Sequence, residues 1–267
     1  MKKLMTALTV CAVAGFAVAQ TVSSANVVGY NTVTLTNSST LVGLNFCSVG
    51  TASSIAITNL VPRGQPGMTG GADSGVADNI QVLIPGGGYT VYYNCNGNIG
   101  KGGKYVAAAD GWVMVGTNVV TSDLLPPGAA FWYIAKNPPV TLTLAGQVAN
   151  DATKTKQIVN GVNLIANGYA ADLPITTNAP SYLKGGTKGA DSGVADTIQV
   201  QSGIGYTVYF FCNGNIGKGG KYVAAADGWV MVGTNVVTSD SVPAGKSAWY
   251  INQGPAFTWT NTVPYSL

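Results

Sequence analysis

A segment of 29 consecutive residues occurs twice in this chain without a single change. Cys95 to Asp123 and Cys212 to Asp240 both read CNGNIGKGGKYVAAADGWVMVGTNVVTSD, 117 positions apart. Self-similarity at a fixed period constrains a fold more strongly than any short motif does. A period of this length is too long for a solenoid repeat and matches the size of a small domain. The chain is therefore predicted to contain two homologous units.

The similarity continues on both sides of the identical segment. Gly71 to Val82 reads GADSGVADNIQV, and GADSGVADTIQV follows 118 positions later. Further upstream only a pattern remains, in which Gly43–Cys47 aligns with Gly161–Ile165. Flanking regions that changed while the central segment did not indicate either recent copying or a surface that both units share.

The N-terminus has the features of a secretory signal. Lys2 and Lys3 form a basic region, Leu4 to Phe16 is apolar, and Ala17-Val18-Ala19 fits a small-x-small cleavage site. No later stretch is apolar over the roughly 20 residues that a spanning helix needs. The mature protein is therefore expected to be secreted or held at the cell surface. The predicted organisation is a signal peptide at 1–19, β repeat unit 1 with an N-terminal arm at 20–145, and β repeat unit 2 with a C-terminal strand at 146–267.

The residue pattern predicts an all-β fold. Thr, Val, Tyr and Trp are interrupted by Gly, Asn, Asp and Pro about every 8–12 residues, which is typical of sandwiches and barrels. Tyr89–Tyr93 is predicted to be a strand, with a hairpin turn at Asn96-Gly97 and another turn at Asp110-Gly111. Ser53 to Leu60 is predicted to form one short helical turn. The fold class follows as two tandem β-sandwich-like units, with a single fused, pseudo-symmetric sandwich as the alternative.

Both ends of the mature chain are β-prone. Phe257 to Leu267 alternates apolar residues with threonine and serine, and Gln20 to Leu35 forms a second arm of this kind. Such terminal strands either close their own sheet or pair with a neighbouring molecule. The closed arrangement is the default expectation.

The residues that most enzymes use for proton transfer are missing. The chain contains no histidine and no glutamate. General acid–base catalysis relies mainly on these side chains, and Ser-His-Asp arrangements and histidine-based zinc sites require histidine. A pair of aspartates could still catalyse glycoside hydrolysis, but no local motif indicates this. We therefore predict a protein that is not an enzyme and uses no cofactor.

Charge is sparse. Loss of Lys2 and Lys3 with the signal would lower the formal net charge from +3 to +1, and charged residues make up 9% of the chain. Arg63 is the single arginine, and no basic run suggests a nucleic-acid partner. A weakly charged surface opposes self-association poorly, which favours a protein that assembles.

One repeated acidic motif is a weak candidate for calcium. Asp73 and Asp78, with their copies Asp191 and Asp196, could offer oxygen ligands. Their spacing differs from that of an EF-hand loop. The stronger interpretation is that these aspartates form turns by accepting hydrogen bonds from nearby backbone N–H groups.

Aromatic and acidic residues of the duplicated segment are candidates for a ligand or interaction site. Tryptophan and tyrosine rings beside an aspartate could stack on a sugar, although a tryptophan more often anchors a core. The two tryptophans follow Asp-Gly pairs at predicted strand starts, which favours some exposure. The candidates are Tyr105, Asp110, Trp112, Tyr222, Asp227 and Trp229.

Three cysteines remain after the signal. Cys95 and Cys212 occupy equivalent positions, and a Cys95–Cys212 disulfide would join the two units. A Cys47–Cys95 bond, an intermolecular bond and buried free thiols are the alternatives. Export permits a disulfide without requiring one.

Three features of the chain resemble a known group of proteins. They are the segment Ser23-Ser-Ala-Asn-Val-Val-Gly-Tyr30, the two-unit layout and the Pro-Gly-x-x-Phe-Trp-Tyr element that starts at Pro127. The chain resembles secreted bacterial two-repeat β-proteins with an N-terminal Asn-Val-Val-Gly-Tyr motif. The resemblance implies export and tandem β units over essentially the whole mature chain. It transfers no catalytic residue, since the group has no established activity.

Two hypotheses of function follow. The first is a non-enzymatic extracellular structural protein that self-assembles into a surface layer, matrix or filament, with other copies of itself as partner. Strand addition by the arm Gln20–Leu35 is the predicted contact. The alternative is a carbohydrate-binding or adhesive module with two equivalent sites, whose partners would be glycans.

Overall fold

The computed structural model describes residues 27–51, 53–84, 87–101, 104–117, 119–176, 186–218, 221–234 and 236–266. Within the strands, positions 99–101, 104–109, 217–218 and 221–226 are described by their backbone only. The predicted signal peptide at 1–19 lies outside the described residues. Among the described residues, no helix is long and apolar enough to cross a membrane.

The described chain is nearly all β, so the predicted all-β class is confirmed. The short helix α1, Ile57–Leu60, lies inside the segment predicted to form one helical turn. The strands are β1 Val28–Leu35, β2 Ser39–Gly43, β3 Ile55–Ala56, β4 Asn79–Leu83, β5 Tyr89–Lys101, β6 Lys104–Met114, β7 Leu124–Leu125, β8 Ala130–Ile134, β9 Val140–Gln147, β10 Thr153–Ile158, β11 Gly161–Ala166, β12 Leu173–Pro174, β13 Thr197–Ser202, β14 Gly205–Lys218, β15 Lys221–Met231, β16 Ser241–Val242, β17 Ser247–Asn252 and β18 Phe257–Thr262.

Strands β1–β9 and β10–β18 have the same connectivity. Two five-stranded antiparallel sheets have the orders β2-β8-β4-β5-β6 and β11-β17-β13-β14-β15, so adding nine to each number converts the first into the second. The two-stranded pairs β1-β9 and β3-β7 recur in the same way as β10-β18 and β12-β16. Strand β9 continues to Gln147, two residues past the unit boundary predicted at 145, because Gln147 pairs with Val28.

Strand pairing also sets the alignment of the two halves upstream. Leu41 pairs with Trp132, and Leu164 pairs with Trp249. Since the two tryptophans are equivalent, Leu41 corresponds to Leu164 at an offset of 123. The alignment of Gly43–Cys47 with Gly161–Ile165 at an offset of 118 is therefore wrong. Alternating apolar strands look alike in several registers, and only hydrogen-bonded partners distinguish them.

Each five-stranded sheet covers a core against a two-stranded pair. In the first half, Val33 of β1 and Leu142 of β9 pack in one buried cluster with Trp112 and Tyr133 of the sheet. In the second half, the equivalent cluster contains Ile158, Trp229, Tyr250 and Trp259. A sheet that packs face to face on a strand pair is a small sandwich, since one face of each layer is apolar.

Both terminal strands are closed within the chain. Strand β1 pairs antiparallel with β9 over its whole length, and β18 pairs with β10. The backbone of Val28–Leu35 is therefore bonded to β9 along one edge, which is the closed arrangement given above as the default expectation. The start of the arm, 20–26, lies outside the described residues.

The two halves contact each other through the opposite faces of their sheets. The Trp132 and Trp249 rings lie 6.2 Å apart between centroids, beside a buried cluster that includes Leu41 and Leu164. The Gln201 side chain accepts a hydrogen bond from Leu41 N at 2.9 Å and donates one to the carbonyl of Ser39 at 2.9 Å. The halves are thus held together by apolar packing and by polar bonds to the edge of β2.

Candidate functional site

The duplicated segment begins where a two-stranded ribbon leaves the sheet. Strand β4 pairs with β5 only over Tyr89–Tyr93, whereas β5 continues to Lys101. The remainder of β5 pairs with β6 alone among the described strands, and β14 with β15 repeats this arrangement. We name the pairs Cys95–Lys101 with Lys104–Asp110, and Cys212–Lys218 with Lys221–Asp227, ribbon 1 and ribbon 2. Every residue of one ribbon is identical to its counterpart in the other.

Each ribbon contains a β-bulge in place of the predicted hairpin turn. The register of β5 against β6 shifts between Asn96 and Asn98, and Gly97 has a φ of 90°. Glycine adopts this left-handed conformation without the steric penalty that a Cβ imposes. The turn predicted at Asn96-Gly97 is therefore wrong, as is the turn at Asp110-Gly111, which lies inside β6. Bulges increase the local twist of the strands that carry them.

The ribbons present free backbone edges. Strands β6 and β15 are the last members of their sheets. A backbone bond from Thr121 to the carbonyl of Trp112 and a bridge from Val113 to Val120 cover the base of β6. Among the described residues, no backbone group outside β5 bonds to the Lys104–Asp110 edge. Unpaired N–H and C=O groups of this kind are templates for another strand.

An ion pair lies at the base of each ribbon. Arg63 pairs with Asp110 and also donates from Nε to Asn94 Oδ1 at 3.0 Å. In the second half, Lys188 Nζ lies 2.6 Å from Asp227 Oδ1. Two cations from unrelated sequence positions therefore neutralise equivalent aspartates. Both pairs are solvent-exposed and contribute at most about 1 kcal/mol each.

The two tryptophans proposed for sugar stacking lie in the cores. Trp112 is 0% exposed and Trp229 is 1% exposed, so their rings are not available for stacking on a sugar. Trp112 Nε1 donates to the carbonyl of Val61 at 2.7 Å, and its ring lies edge to face with Tyr133. The core interpretation is confirmed and the alternative of an exposed ring is wrong, because each tryptophan sits inside a strand whose alternation directs it inward. The side chains of Tyr105 and Tyr222 lie outside the described residues.

The four aspartates considered for calcium make hydrogen bonds within the protein. Asp78 is buried and accepts from Thr69 N at 2.9 Å, Tyr133 OH at 2.8 Å and Lys136 N at 2.7 Å. Its copy Asp196 accepts from Tyr250 OH and Gln253 N.

The exposed members form local turns. Asp73 Oδ1 accepts from Gly75 N at 2.7 Å, and Asp191 Oδ1 accepts from Gly193 N at 2.8 Å, as the turn interpretation predicts. In the part of the chain that the structure describes, no group of three potential metal ligands comes together. The oxygens are therefore engaged in holding loops to the sheets.

The three cysteines are buried free thiols. Cys95 packs with Ala77, Tyr93 and Val113, whereas Cys212 lies in a separate cluster of the second half. The proposed Cys95–Cys212 and Cys47–Cys95 bonds are therefore absent from the structure. Burial raises the pKa of the Cys47 thiol, which lowers its reactivity.

Sequence reasoning missed a cleft of about 510 Å³ between the two halves. Its walls come from the ends of β4 and the β7–β8 loop on one side and from β10, β11 and β18 on the other. Lys156 of β10 lines it and donates from Nζ to the carbonyl of Gly128 at 3.3 Å. Burial lowers the pKa of Lys156 to about 8. The sequence could have revealed this lysine only through the alignment at an offset of 123. In that alignment the charged Lys156 takes the place of the hydrophobic Val33.

Replacing Lys156 by Val is expected to raise the free energy of unfolding at pH 7 by roughly 1–3 kcal/mol. The folded-state pKa lies below the ordinary lysine value. Below about pH 8, the charged side chain therefore lowers the stability of the folded state by its full amount. This effect is relieved as the pH rises towards 10.5. Urea denaturation at pH 7 and pH 10 checks it, with Lys188→Met as the exposed control. A gain that is equal at both pH values would contradict the expected burial of charge.

No known family model, curated protein or solved structure matches this chain, so its function must be inferred from its own residues.

Proposed function

We propose that this protein is an exported, non-enzymatic structural protein that self-assembles through ribbon 1 and ribbon 2. The observation that carries the proposal is the position of the duplicated segment in the fold. It covers both ribbons and the edge strands β6 and β15, whose outer edges over Lys104–Asp110 and Lys221–Asp227 have no backbone partner among the described residues. A surface that is identical in both halves suits a single kind of partner.

Buried positions that directly precede the ribbons differ between the halves, whereas the ribbons do not. Tyr93 and Asn94 of the first half are Phe210 and Phe211 in the second, and all four are buried. The fold therefore accepts changes at its core positions. Identity over the ribbons is not needed to maintain the sandwich, which supports a requirement imposed from outside the molecule.

Two like ribbons give each molecule two like contacts. An antiparallel contact between two copies of one strand is symmetric, so either ribbon of one molecule suits either ribbon of the next. A molecule with two such contacts extends a chain at both ends. The low content of charged residues, 9%, places little electrostatic repulsion against close packing.

Shortening the ribbons is expected to convert polymers into dimers and then into monomers. Gly100–Tyr105 would be replaced by Asn-Gly, a pair that closes a two-residue hairpin on the Ile99–Val106 pair. Gly217–Tyr222 would be replaced in the same way in ribbon 2. With one ribbon kept at full length, a molecule has one full contact and stops at a dimer; with both ribbons shortened, it stays a monomer. Light scattering coupled to gel filtration and negative-stain electron microscopy measure the outcome on the mature chain.

The control is Ile204→Lys, a change at a 98% exposed residue at the opposite end of β14 from ribbon 2. It should leave polymers intact. Circular dichroism should show an unchanged β spectrum in every variant, since the five-stranded sheets are retained. Polymers that persist in the doubly shortened variant, or a wild-type protein that stays monomeric at high concentration, would contradict the proposal.

A further inference from the structure

The cleft between the two halves has the size and the chemistry of a ligand site. Its volume of about 510 Å³ falls within the roughly 300–1,000 Å³ of small-molecule pockets. Leu83 and Ala130 from the first half and Leu164 and Ala166 from the second supply apolar surface. The cleft needs both halves, so it is a property of the duplicated chain rather than of one unit.

Lys156 brings a positive charge into this apolar cleft, and no described residue that lines the cleft supplies a counter-charge. Among the described residues that line the cleft, Lys154 and Lys156 are the ionisable ones. Lys154 is paired with Asp151, whereas the one hydrogen bond of Lys156 goes to the neutral carbonyl of Gly128. An ammonium in a poorly solvated site favours an anion that replaces its lost hydration.

The first half of the chain serves as an internal comparison. Strand register makes Val33 equivalent to Lys156, because Val33 pairs with Leu142 and Lys156 with Trp259. Val33 is 3% exposed and Leu142 is 0% exposed, so the same fold accepts plain hydrophobes at these positions. The lysine and its neighbours are therefore not required by the architecture.

The neighbouring pair of residues on these strands is also more polar in the second half than in the first. Asn31 pairs with Leu144 in the first half, and Lys154 pairs with Asn261 in the second. Trp259 Nε1 and Asn261 Oδ1 are buried polar atoms without a hydrogen-bond partner among the described residues, and both residues line the cleft. Folded proteins leave few such atoms unsatisfied. Around this cavity, two apolar positions of the first half, Val33 and Leu144, have thus become Lys156 and Asn261, and Leu142 has become a tryptophan that carries an N–H group.

We infer that this cleft binds a small monocarboxylate with an apolar body, with the carboxylate on Lys156 Nζ and the body against Leu83, Ala130 and Leu164. The carboxylate supplies the missing counter-charge, and the apolar walls bury the remainder of the ligand. The site is independent of the ribbons and of polymer formation.

Isothermal titration of the full mature chain with octanoate tests the inference, with octanamide as the uncharged probe of the same length. The wild type is expected to bind octanoate at least tenfold more tightly than octanamide. Lys156→Met keeps the apolar stem and removes the charge, and it should weaken octanoate binding at least tenfold while leaving octanamide binding unchanged. Lys156→Val, which installs the residue of the first half, should behave in the same way.

Lys188→Met is the matched control for loss of a lysine outside the cleft, and its octanoate affinity should equal that of the wild type. Equal affinity for octanoate and octanamide, undiminished binding by Lys156→Met, or no binding of octanoate by the wild type would each overturn the inference. The doubly shortened ribbon variant should bind octanoate normally, which separates a failure of this site from a failure of assembly.

Discussion

Replacing Asp78 by Ala is expected to lower the free energy of unfolding by about 3–5 kcal/mol. The buried carboxylate accepts hydrogen bonds from Thr69 N, Tyr133 OH and Lys136 N. Alanine would leave these donors without an acceptor, and each buried donor that loses its partner carries a desolvation penalty of about 1–3 kcal/mol. The loop that starts at Thr69 and the end of β8 would lose their common anchor.

Equilibrium denaturation in urea measures this effect. Asp73→Ala is the matched control, because Asp73 is exposed and accepts one local hydrogen bond from Gly75 N. It should change the unfolding free energy by less than about 1 kcal/mol. The copy Asp196→Ala should show a loss similar to that of Asp78→Ala, since Asp196 holds Tyr250 and Gln253 in the same way. Equal small effects of Asp73→Ala and Asp78→Ala would contradict the anchoring role.

Replacing Trp112 by Ala is expected to destabilise the first half by about 3–5 kcal/mol through the cavity it leaves. The ring is completely buried, lies edge to face with Tyr133, and bonds through Nε1 to the carbonyl of Val61. Trp112→Phe should cost less, since it retains most of the apolar volume and loses the Nε1 bond. A sugar-binding role of this ring would predict the opposite, a stable fold with lost glycan retention.

Urea denaturation followed by circular dichroism checks the tryptophan series. Tyr30→Ala is the control, because Tyr30 is an aromatic residue that is 76% exposed, and its loss should be within about 0.5 kcal/mol. Trp229→Ala should match Trp112→Ala, since Trp229 stacks on Phe211 in the second core. Retention of full stability by Trp112→Ala would show that the ring is not a core anchor.

Local sequence rules predicted the structure correctly where the conformation of a short segment depends only on its own residues. The turn at Asp73 depends on a bond between residues two apart, and the helical turn at Ile57–Leu60 is equally local. The same rules failed at Asn96-Gly97. An Asn-Gly pair favours a positive φ, and both a hairpin turn and a bulge use that conformation. Only the partner strand, which continues past this point, decides between them.

For Trp112 the sequence favoured a core position but left an exposed ring as the alternative, for a related reason. An Asp-Gly pair in front of a tryptophan suggests a strand start with an accessible ring, yet β6 continues through both residues. The face that a strand residue occupies depends on where the strand begins, and a shift of one residue reverses it. Lys156 was missed because a lysine on a β-prone strand is expected to face solvent. Whether its side chain is buried depends on which other part of the fold covers that strand.

Two conclusions follow from the order of residues alone: the fold class is all-β, and one segment is duplicated without change. Both rest on patterns that repeat along the chain, namely strand alternation and the period of 117. Tertiary packing decided that the duplicate forms projecting ribbons, that both tryptophans lie in cores, and that Lys156 faces a cleft between the halves. These features depend on contacts between residues far apart in sequence, whose geometry is set by strand pairing and by the packing of one half on the other.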